Sequence, residues 1–218
     1  MITRYGYDVY FTVAGVCVAA IVIAILFVDP RSVRYAVVGS GGLVLLFATN
    51  FFRDPDRVIP SGDGIVVSPA DGKVIVVKEV DQPEYIGGPS VQISIFMSPL
   101  NVHVNRVPIT GTVKHLRYVA GEYFAAFADK ASEKNEQMIV GMENAHGKVL
   151  FKQIAGFVAR RIVCELRQDQ EVGAGERFGM IKFGSRVDVF VRPSADVSVK
   201  IGDVVTAGET ILAAYRSP

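Results

Sequence analysis

The chain is poor in the residues that disulfides and metal sites need: its 218 residues include only two cysteines and three histidines. Cys17 and Cys164 are far apart and lack metal-ligand spacing, and Cys17 lies in an apolar run, so a structural disulfide is not predicted. His115 and His146 form no ligand cluster, and we expect no metal ion. The formal net charge of +1 gives no sign of nucleic acid or another polyanionic partner.

Helical periodicity is also scarce in the larger part of the chain. From about Val58 onward, short β-rich runs alternate with glycine and proline. Only residues 121–137 suggest a short helix or a mobile loop. The pattern predicts a mainly β domain, a compact antiparallel barrel or sandwich with little room for βαβ units.

Long uncharged runs, in contrast, are concentrated at the N-terminus. Val9–Val28 would reach roughly 30 Å as a helix, the thickness of the hydrocarbon core of a bilayer. A second run, Tyr35–Phe52, follows the polar linker DPRSVR and contains glycines that would allow close helix packing at positions 39, 41 and 42. We expect a transmembrane helical hairpin, with a re-entrant unit as the alternative. No small-residue site supports a cleaved signal peptide.

This reading divides the chain into a membrane hairpin with an interfacial segment, 1–57, and a β domain, 58–218. A hairpin places Arg4, Arg53 and Arg57 on one side of the membrane, and Arg31 and Arg34 on the other. The positive-inside count is therefore nearly balanced. We expect a cell-membrane protein whose main domain lies on the cytoplasmic face.

Two segments of the β domain share a glycine-containing turn between short β runs. They are SPADGKVIVV at 68–77 and VSVKIGDVVTAGETILAAY at 197–215. The second resembles a half-motif of lipoyl and biotinyl carrier domains. Such a domain needs a lysine at its hairpin tip, and neither Lys73 nor Lys200 is placed that way. Both segments are therefore interpreted as scaffold.

Ser185 follows Gly184 between two apolar runs, in FGMIKFGSRVDVFV. Taken alone, this pair is typical of a tight turn or a bulge, where glycine is permissive and serine bonds the local backbone. No Gly-x-Ser-x-Gly elbow surrounds Ser185, so an α/β-hydrolase nucleophile is not indicated.

The same stretch resembles the processing site of the phosphatidylserine decarboxylase family, in the short form that includes archaetidylserine decarboxylases. Further motifs agree in order and approximate spacing: FFRDPDR at 51–57, VSPADGKV at 67–74, FMSPLNVHVNRVPITG at 96–111 and QIAGFVARRIV at 153–163. The resemblance spans about residues 51–215.

The resemblance implies a proenzyme that cleaves itself between Gly184 and Ser185. In the family, the serine hydroxyl attacks the preceding carbonyl, and the resulting ester eliminates to dehydroalanine, which hydrolyses to a pyruvoyl group and ammonia. The products here would be a large chain ending at Gly184 and a small chain beginning at the converted Ser185. The covalent pyruvoyl group would then be the cofactor, an electron sink like pyridoxal phosphate.

Serine is a weak nucleophile at neutral pH and needs a base. Asp71 occupies the family's acidic position, and His103 lies in the histidine motif, where imidazole suits proton transfer. Longer family members carry a second histidine three residues later, and this chain has Arg106 there. Either His103 serves both cleavage and turnover, or Asp71 acts more directly on Ser185. On pattern alone, Asp71 would be a turn former and His103 a surface or core residue.

The implied reaction converts a phosphatidylserine or an archaetidylserine to the ethanolamine phospholipid. Its substrate phosphate would suit guanidinium groups, for which Arg106, Arg160 and Arg161 are candidates. The membrane hairpin would bring the enzyme to a lipid that stays in the bilayer, and FFRDPDR carries the aromatic and basic residues of an interfacial segment. Edge strands of a small β domain make a homodimer an expectation. The alternative function is a non-catalytic, membrane-tethered β-barrel module that binds a lipid or a partner protein.

Overall fold

The structure is a computed structural model that describes residues 1–122, 124, 134–156, 161–182 and 185–215. It divides into two compact units, Met1–Pro55 and Asp56–Pro218. Most of the segment 121–137, where the sequence suggests a helix or a loop, lies outside the described residues.

The first unit consists of a short 3-10 helix, Arg4–Gly6, and two long helices, α1 (Tyr7–Phe27) and α2 (Arg31–Phe51). Both long helices are apolar enough and long enough to cross a membrane. Their large apolar side chains are widely exposed, with Phe27 and Leu43 both more than two-thirds accessible. The two predicted N-terminal apolar helices are thus confirmed.

Contacts between the start of α1 and the end of α2 show that the two helices form a hairpin. The Thr3 N–H donates to the Phe52 carbonyl at 2.8 Å, and the Asp54 N–H donates to the Met1 carbonyl at 2.7 Å. The chain therefore enters α1 and leaves α2 at the same end. Among the three predicted packing glycines, Gly41 is the one that faces α1: a Cβ there would lie 3.0 Å from the Ile21 side chain.

The second unit contains fourteen strands among its described residues, and every pairing between them is antiparallel. The mainly β, antiparallel class predicted from the sequence is confirmed. The strands are β1 (Ile65–Val67), β2 (Gly72–Gln82), β3 (Gly88–Met97), β4 (Val104–Arg106), β5 (Gly111–Val119), β6 (Gln137–Glu143), β7 (Lys148–Ala155), β8 (Ile162–Cys164), β9 (Glu171–Val172), β10 (Arg177–Ile181), β11 (Ser185–Val191), β12 (Ala195–Val197), β13 (Val204–Val205) and β14 (Ile211–Tyr215).

These strands form three sheets. An eight-stranded sheet has the order β13-β2-β3-β11-β7-β6-β5-β9, and two three-stranded sheets have the orders β1-β14-β12 and β4-β10-β8. The two lipoyl-like segments pair with each other: Lys73 lies opposite Val204, and the Ser68 N–H donates to the Thr210 carbonyl at 2.8 Å. They form scaffold next to the start of β2.

Strand β11 lies at the centre of the large sheet, between β3 and β7. Its alternating residues Val187, Val189 and Val191 join the main hydrophobic core, and all seven residues of the strand are buried. A strand covered on both faces needs apolar or paired polar side chains on each. Ser185 is the first residue of this strand, so the core fixes its position.

Candidate active site

Ser185 is fully buried at the start of β11, opposite Met97 of β3 and Ala155 of β7. Directly opposed residues in an antiparallel sheet share a face, so the three side chains point into the core together. The Ser185 hydroxyl donates to the Met97 thioether sulfur at 3.4 Å. Gly184, predicted as the other half of the cleavage site, lies outside the described residues.

His103 is fully buried on the segment between β3 and β4. A turn precedes it, in which Asn101 Oδ1 accepts hydrogen bonds from the Ser98 N–H at 2.9 Å and the Ser98 hydroxyl at 2.8 Å. The His103 Nδ1 lies 3.0 Å from the Asn101 carbonyl oxygen. Because a carbonyl only accepts, the neutral ring carries its proton on Nδ1, which leaves Nε2 as the basic nitrogen.

Asp71 follows the turn between β1 and β2, and its carboxylate is engaged by two partners. The Arg57 Nη2 donates to both oxygens, at 3.1 Å and 2.8 Å, and the Ala207 N–H donates to Oδ1 at 2.8 Å. Arg57 Nη1 also lies 3.5 Å from Glu209 Oε2. Asp71 therefore links the start of the β domain to the turn before β14.

The structure brings the acidic and histidine motifs together through their backbones. The Pro69 carbonyl accepts a hydrogen bond from the Arg106 N–H at 2.9 Å and another from the Asn105 Nδ2 at 3.3 Å. Among the described residues, however, no hydrogen bond joins any two of Asp71, His103 and Ser185. The predicted catalytic residues lie on neighbouring segments, but they do not form a hydrogen-bonded triad in this state.

The three arginines predicted at the phosphate lie in different surroundings. The Arg106 guanidinium is buried, and its Nη1 donates to the Gly175 carbonyl at 2.9 Å. Arg161 is exposed, and its carbonyl accepts from the Lys182 N–H at 3.2 Å, just before the processing site. Arg160 lies outside the described residues. This placement favours Arg161 for an external phosphate and a structural role for Arg106.

Three buried residues near Ser185 were not singled out from the sequence: Met97, Asn105 and Gln153. Asn105 Nδ2 lies 3.8 Å from the same Met97 sulfur that Ser185 contacts, and Gln153 Nε2 donates to Asn105 Oδ1 at 2.9 Å. One signal was available for Asn105, because it is two residues from His103 and a β register places both on one face. Met97 and Gln153 gave none.

The cysteine of this region does not compete as a nucleophile. Cys164 lies on β8, and burial raises the pKa of its thiol to about 11. The thiolate is the reactive form of cysteine, so at neutral pH this thiol stays protonated and unreactive.

Comparison with known proteins identifies the family of the chain. The model of the phosphatidylserine decarboxylase family matches residues 44–213. A phosphatidylserine decarboxylase proenzyme of Pelodictyon phaeoclathratiforme is 46% identical over 215 residues, covering 99% of this chain and 100% of the relative. The proenzyme of Chlorobium phaeobacteroides is 44% identical with the same coverage, and that of Chlorobaculum tepidum is 46% identical over 97% of this chain and 96% of its own. The chain belongs to the phosphatidylserine decarboxylase family, in its short proenzyme form.

Proposed function

We propose that this chain decarboxylates phosphatidylserine to the ethanolamine phospholipid, after cleaving itself between Gly184 and Ser185. The main support is the position of Ser185 at the buried start of a central strand, with its hydroxyl against Met97 of the histidine motif. A backbone hydrogen bond also joins the histidine motif to the acidic motif. In addition, the chain is related to decarboxylase proenzymes over 99% of its length.

Self-cleavage requires that the Ser185 hydroxyl, and not water, attack the Gly184 carbonyl. Full burial of Ser185 keeps bulk water away from the reacting atoms. A thioether cannot accept the hydroxyl proton, so a base must reach Ser185 from elsewhere. We favour His103, whose Nε2 is the basic ring nitrogen, over Asp71, whose carboxylate already accepts from Arg57 and Ala207.

The residues present fit a pyruvoyl group, because Ser185 is its precursor and lies in a dry, packed position next to the histidine motif. That group supplies the electron sink for loss of the substrate carboxylate. In turnover we assign His103 as the acid that returns a proton to the substrate carbon. Arg161, with Arg160 beside it in sequence, is assigned to the lipid phosphate.

The substrate class gives the N-terminal hairpin a purpose. A phospholipid remains in the bilayer, and helices α1 and α2 expose apolar side chains along lengths that suit a membrane span. We propose that residues 1–57 anchor the enzyme in the cell membrane and that the 58–218 domain works on the cytoplasmic face. Protease protection in inverted and right-side-out vesicles tests that orientation.

Homodimer formation is a separate proposal about the β domain. The edges of the large sheet are β13 and β9, which have only two residues each. Such short edges offer little template for pairing between sheets, so a dimer would have to use another surface. Native mass spectrometry in detergent measures the oligomeric state directly.

Denaturing mass spectrometry of the purified protein tests the main proposal. We expect two chains, residues 1–184 and 185–218, the second beginning with a blocked pyruvoyl group in place of serine. Ser185→Ala should give one intact chain and no carbon dioxide from phosphatidylserine vesicles. An intact wild-type chain would contradict the proposal and favour a non-catalytic lipid- or protein-binding module. Decarboxylation by Ser185→Ala would show instead that the cofactor had been misassigned. Parallel vesicles of diacyl and diether phosphoserine lipids identify the preferred backbone.

A further inference from the structure

Asn105 is a fully buried asparagine whose side chain joins several of the motif segments. Its Nδ2 donates to the Pro69 carbonyl at 3.3 Å, in the acidic motif, and contacts the Met97 sulfur at 3.8 Å. Its Oδ1 accepts from Gln153 Nε2 at 2.9 Å, at the start of the QIAGFVARRIV motif. Met97 in turn accepts the hydroxyl hydrogen bond of Ser185.

Gln153 is held in one orientation by its two carbonyl neighbours. Its Nε2 donates to Asn105 Oδ1 and to the Val163 carbonyl at 3.3 Å. Rotating the amide by half a turn would place its oxygen against two other oxygens, which is repulsive. The orientation seen leaves Gln153 Oε1 buried without a hydrogen bond to the described residues, a cost that the two donated bonds must offset.

The sheet register places this pair on the face that carries Ser185. Ser185 lies opposite Ala155, and Val187 lies opposite Gln153. Gln153 is therefore the diagonal neighbour of Ser185, at roughly 7–8 Å between backbones, on the same side of the sheet. The Met97 sulfur contacts both Asn105 and Ser185, and Gln153 contacts Asn105. The two amides can therefore act on Ser185 through this sulfur.

We propose that Asn105 and Gln153 are positioning residues for self-cleavage, an inference that depends on the function proposed above. Gln153 fixes the Asn105 amide, Asn105 fixes the Met97 sulfur, and the sulfur holds the Ser185 hydroxyl in the conformation from which it attacks. Neither amide exchanges a proton with the reacting atoms. The pair contributes orientation, which is a large source of rate enhancement in reactions within one molecule.

The step that depends on this orientation is the first one. The Ser185 oxygen forms a bond to the Gly184 carbonyl carbon, the peptide bond between Gly184 and the Ser185 nitrogen breaks, and the hydroxyl proton ends on that nitrogen. The product is an ester of the same composition. Later elimination removes the Ser185 Cα proton and releases Gly184 as a carboxylate, which leaves dehydroalanine, and hydrolysis of its imine form with one water releases ammonia. These later steps do not need the hydroxyl conformation.

Asn105→Asp tests the proposal, because it keeps the shape of the side chain and exchanges the amide donor for an oxygen. At neutral pH we expect self-cleavage of the freshly translated full chain in detergent to slow about tenfold or more. Burial raises the pKa of a carboxyl group, and a protonated Asp at position 105 regains one O–H donor. The ratio of variant to wild-type cleavage rate should therefore rise as the pH falls from about 8 to about 5.

Gln153→Met provides a second variant, of similar length, that removes both donated bonds; we expect cleavage to slow by about threefold to tenfold. The matched controls are Gln82→Met and Asn144→Asp. Gln82 is a buried glutamine whose Oε1 accepts two backbone hydrogen bonds in the turn before β3, at the end of β3 away from Met97. Asn144 donates to the Thr110 carbonyl at 2.7 Å in another turn. Both controls should have cleavage rates within about twofold of wild type, and their thermal stability should be similar to that of the two test variants.

Hydroxylamine separates the first step from the later ones, because it cuts esters but not peptide bonds at neutral pH. If Asn105→Asp slows the first step, no ester accumulates in this variant. Hydroxylamine should then yield no fragment that begins with an unmodified Ser185. The inference would be overturned if hydroxylamine readily cut Asn105→Asp between residues 184 and 185. It would also be overturned if both variants cleaved at the wild-type rate, or if the two controls were slowed as much as the variants. If the wild-type chain itself stays intact, it is the proposed function that fails and not this inference. Ser185→Ala is the reference for an intact chain.

Discussion

The hydroxyl of Ser185 donates its hydrogen bond to the sulfur of Met97, 3.4 Å away, and both residues are fully buried. Thioether sulfur is a weak acceptor and has no capacity to take the proton. In the function proposed above, the nucleophile of the proenzyme is thus oriented but not activated. The proposed cleavage then depends on a base that reaches the hydroxyl.

Met97→Leu should slow self-cleavage by about threefold to tenfold, because it removes the acceptor and preserves most of the buried volume. Stability should fall by less than about 1.5 kcal/mol. The measurement is the fraction of small chain on denaturing gels over time, with thermal unfolding of the same samples.

Met142→Leu is the control for this change, because Met142 is equally buried in the same core on β6. It lies opposite Val149, at the other end of β7 from Ala155, the residue opposite Ser185. Met142→Leu should alter stability to a similar extent and leave the cleavage rate close to wild type. If Met97→Leu cleaves as fast as Met142→Leu, the sulfur has no part in holding the hydroxyl.

The ion pair between Arg57 and Asp71 should be a stability element of the β domain. Both side chains are largely buried, and the guanidinium donates to both carboxylate oxygens. Arg57→Met and Asp71→Asn should each destabilise the protein, and a double-mutant cycle should give a coupling free energy of about 1–3 kcal/mol. Thermal unfolding in a Ser185→Ala background measures this on one uncleaved chain.

The same variants separate the two roles of Asp71 when cleavage is followed with Ser185 intact. If Asp71 acts mainly by fixing the turns around it, Arg57→Met should slow cleavage as much as Asp71→Asn does. His103→Ala should then have the larger effect on cleavage. A drop confined to Asp71→Asn would instead assign the base to this carboxylate.

Much of the fold could be predicted because it depends on local patterns. The uncharged run Val9–Val28 became α1, Tyr7–Phe27, almost unchanged. The second helix starts at Arg31, four residues before the apolar run that predicted it. Pro30 precedes the helix and suits such a start, and the charged Arg34 is accommodated because its Nε donates to the Val28 carbonyl at 3.0 Å.

The surroundings of Ser185 could not be predicted in the same way. Ser185 and Met97 are 88 residues apart, and Gln153 and Asn105 are 48 apart. Such contacts depend on strand order and register, and a shift of one residue would move every side chain to the opposite face. Motif resemblance identified Ser185, His103 and Asp71 as candidates, but only the folded structure shows that Asn105 contacts Pro69, Met97 and Gln153.

The second face of β11 carries a buried charge pair next to the predicted processing site. Arg186 Nε donates to Asp188 Oδ1 at 2.6 Å, and Arg186 Nη2 donates to the Ser94 hydroxyl at 2.7 Å. Gln92 Nε2 also donates to Asp188 Oδ2 at 3.0 Å. Arg186→Met should lower the free energy of unfolding by up to about 3–5 kcal/mol, because it removes the guanidinium that donates to the buried Asp188 carboxylate. Lys152, which lies opposite Asp188 on β7, remains as a positive charge near that carboxylate.

The double variant Arg186→Met with Asp188→Leu should recover part of that loss, since it also removes the buried carboxylate that Arg186 served. Thermal unfolding in the Ser185→Ala background is again the measurement. If the double variant is less stable than Arg186→Met alone, the Asp188 carboxylate stabilises the strand through contacts other than its contact with Arg186.

Glu84 should give the β domain part of its acid sensitivity. Burial by itself would raise the pKa of this carboxyl group, but hydrogen bonds from Arg117 and His115 outweigh that effect and hold the pKa below its ordinary value of 4.5. A carboxyl group whose pKa is lower in the folded state stabilises the fold at pH values above its pKa in the unfolded state. That contribution disappears as the pH falls through the folded-state pKa.

Glu84→Gln should therefore lower the thermal midpoint at pH 7 by about 2–4 °C, as expected for a partly exposed ion pair worth up to about 1 kcal/mol. The difference from the parent protein should shrink as the pH is lowered from about 5 to about 3, where the parent carboxylate also becomes protonated. Glu79→Gln, at an exposed position on β2, controls for the loss of one negative charge. A difference between Glu84→Gln and the parent that stays constant down to pH 3 would show that shape, and not charge, holds the turn between β2 and β3 against β5.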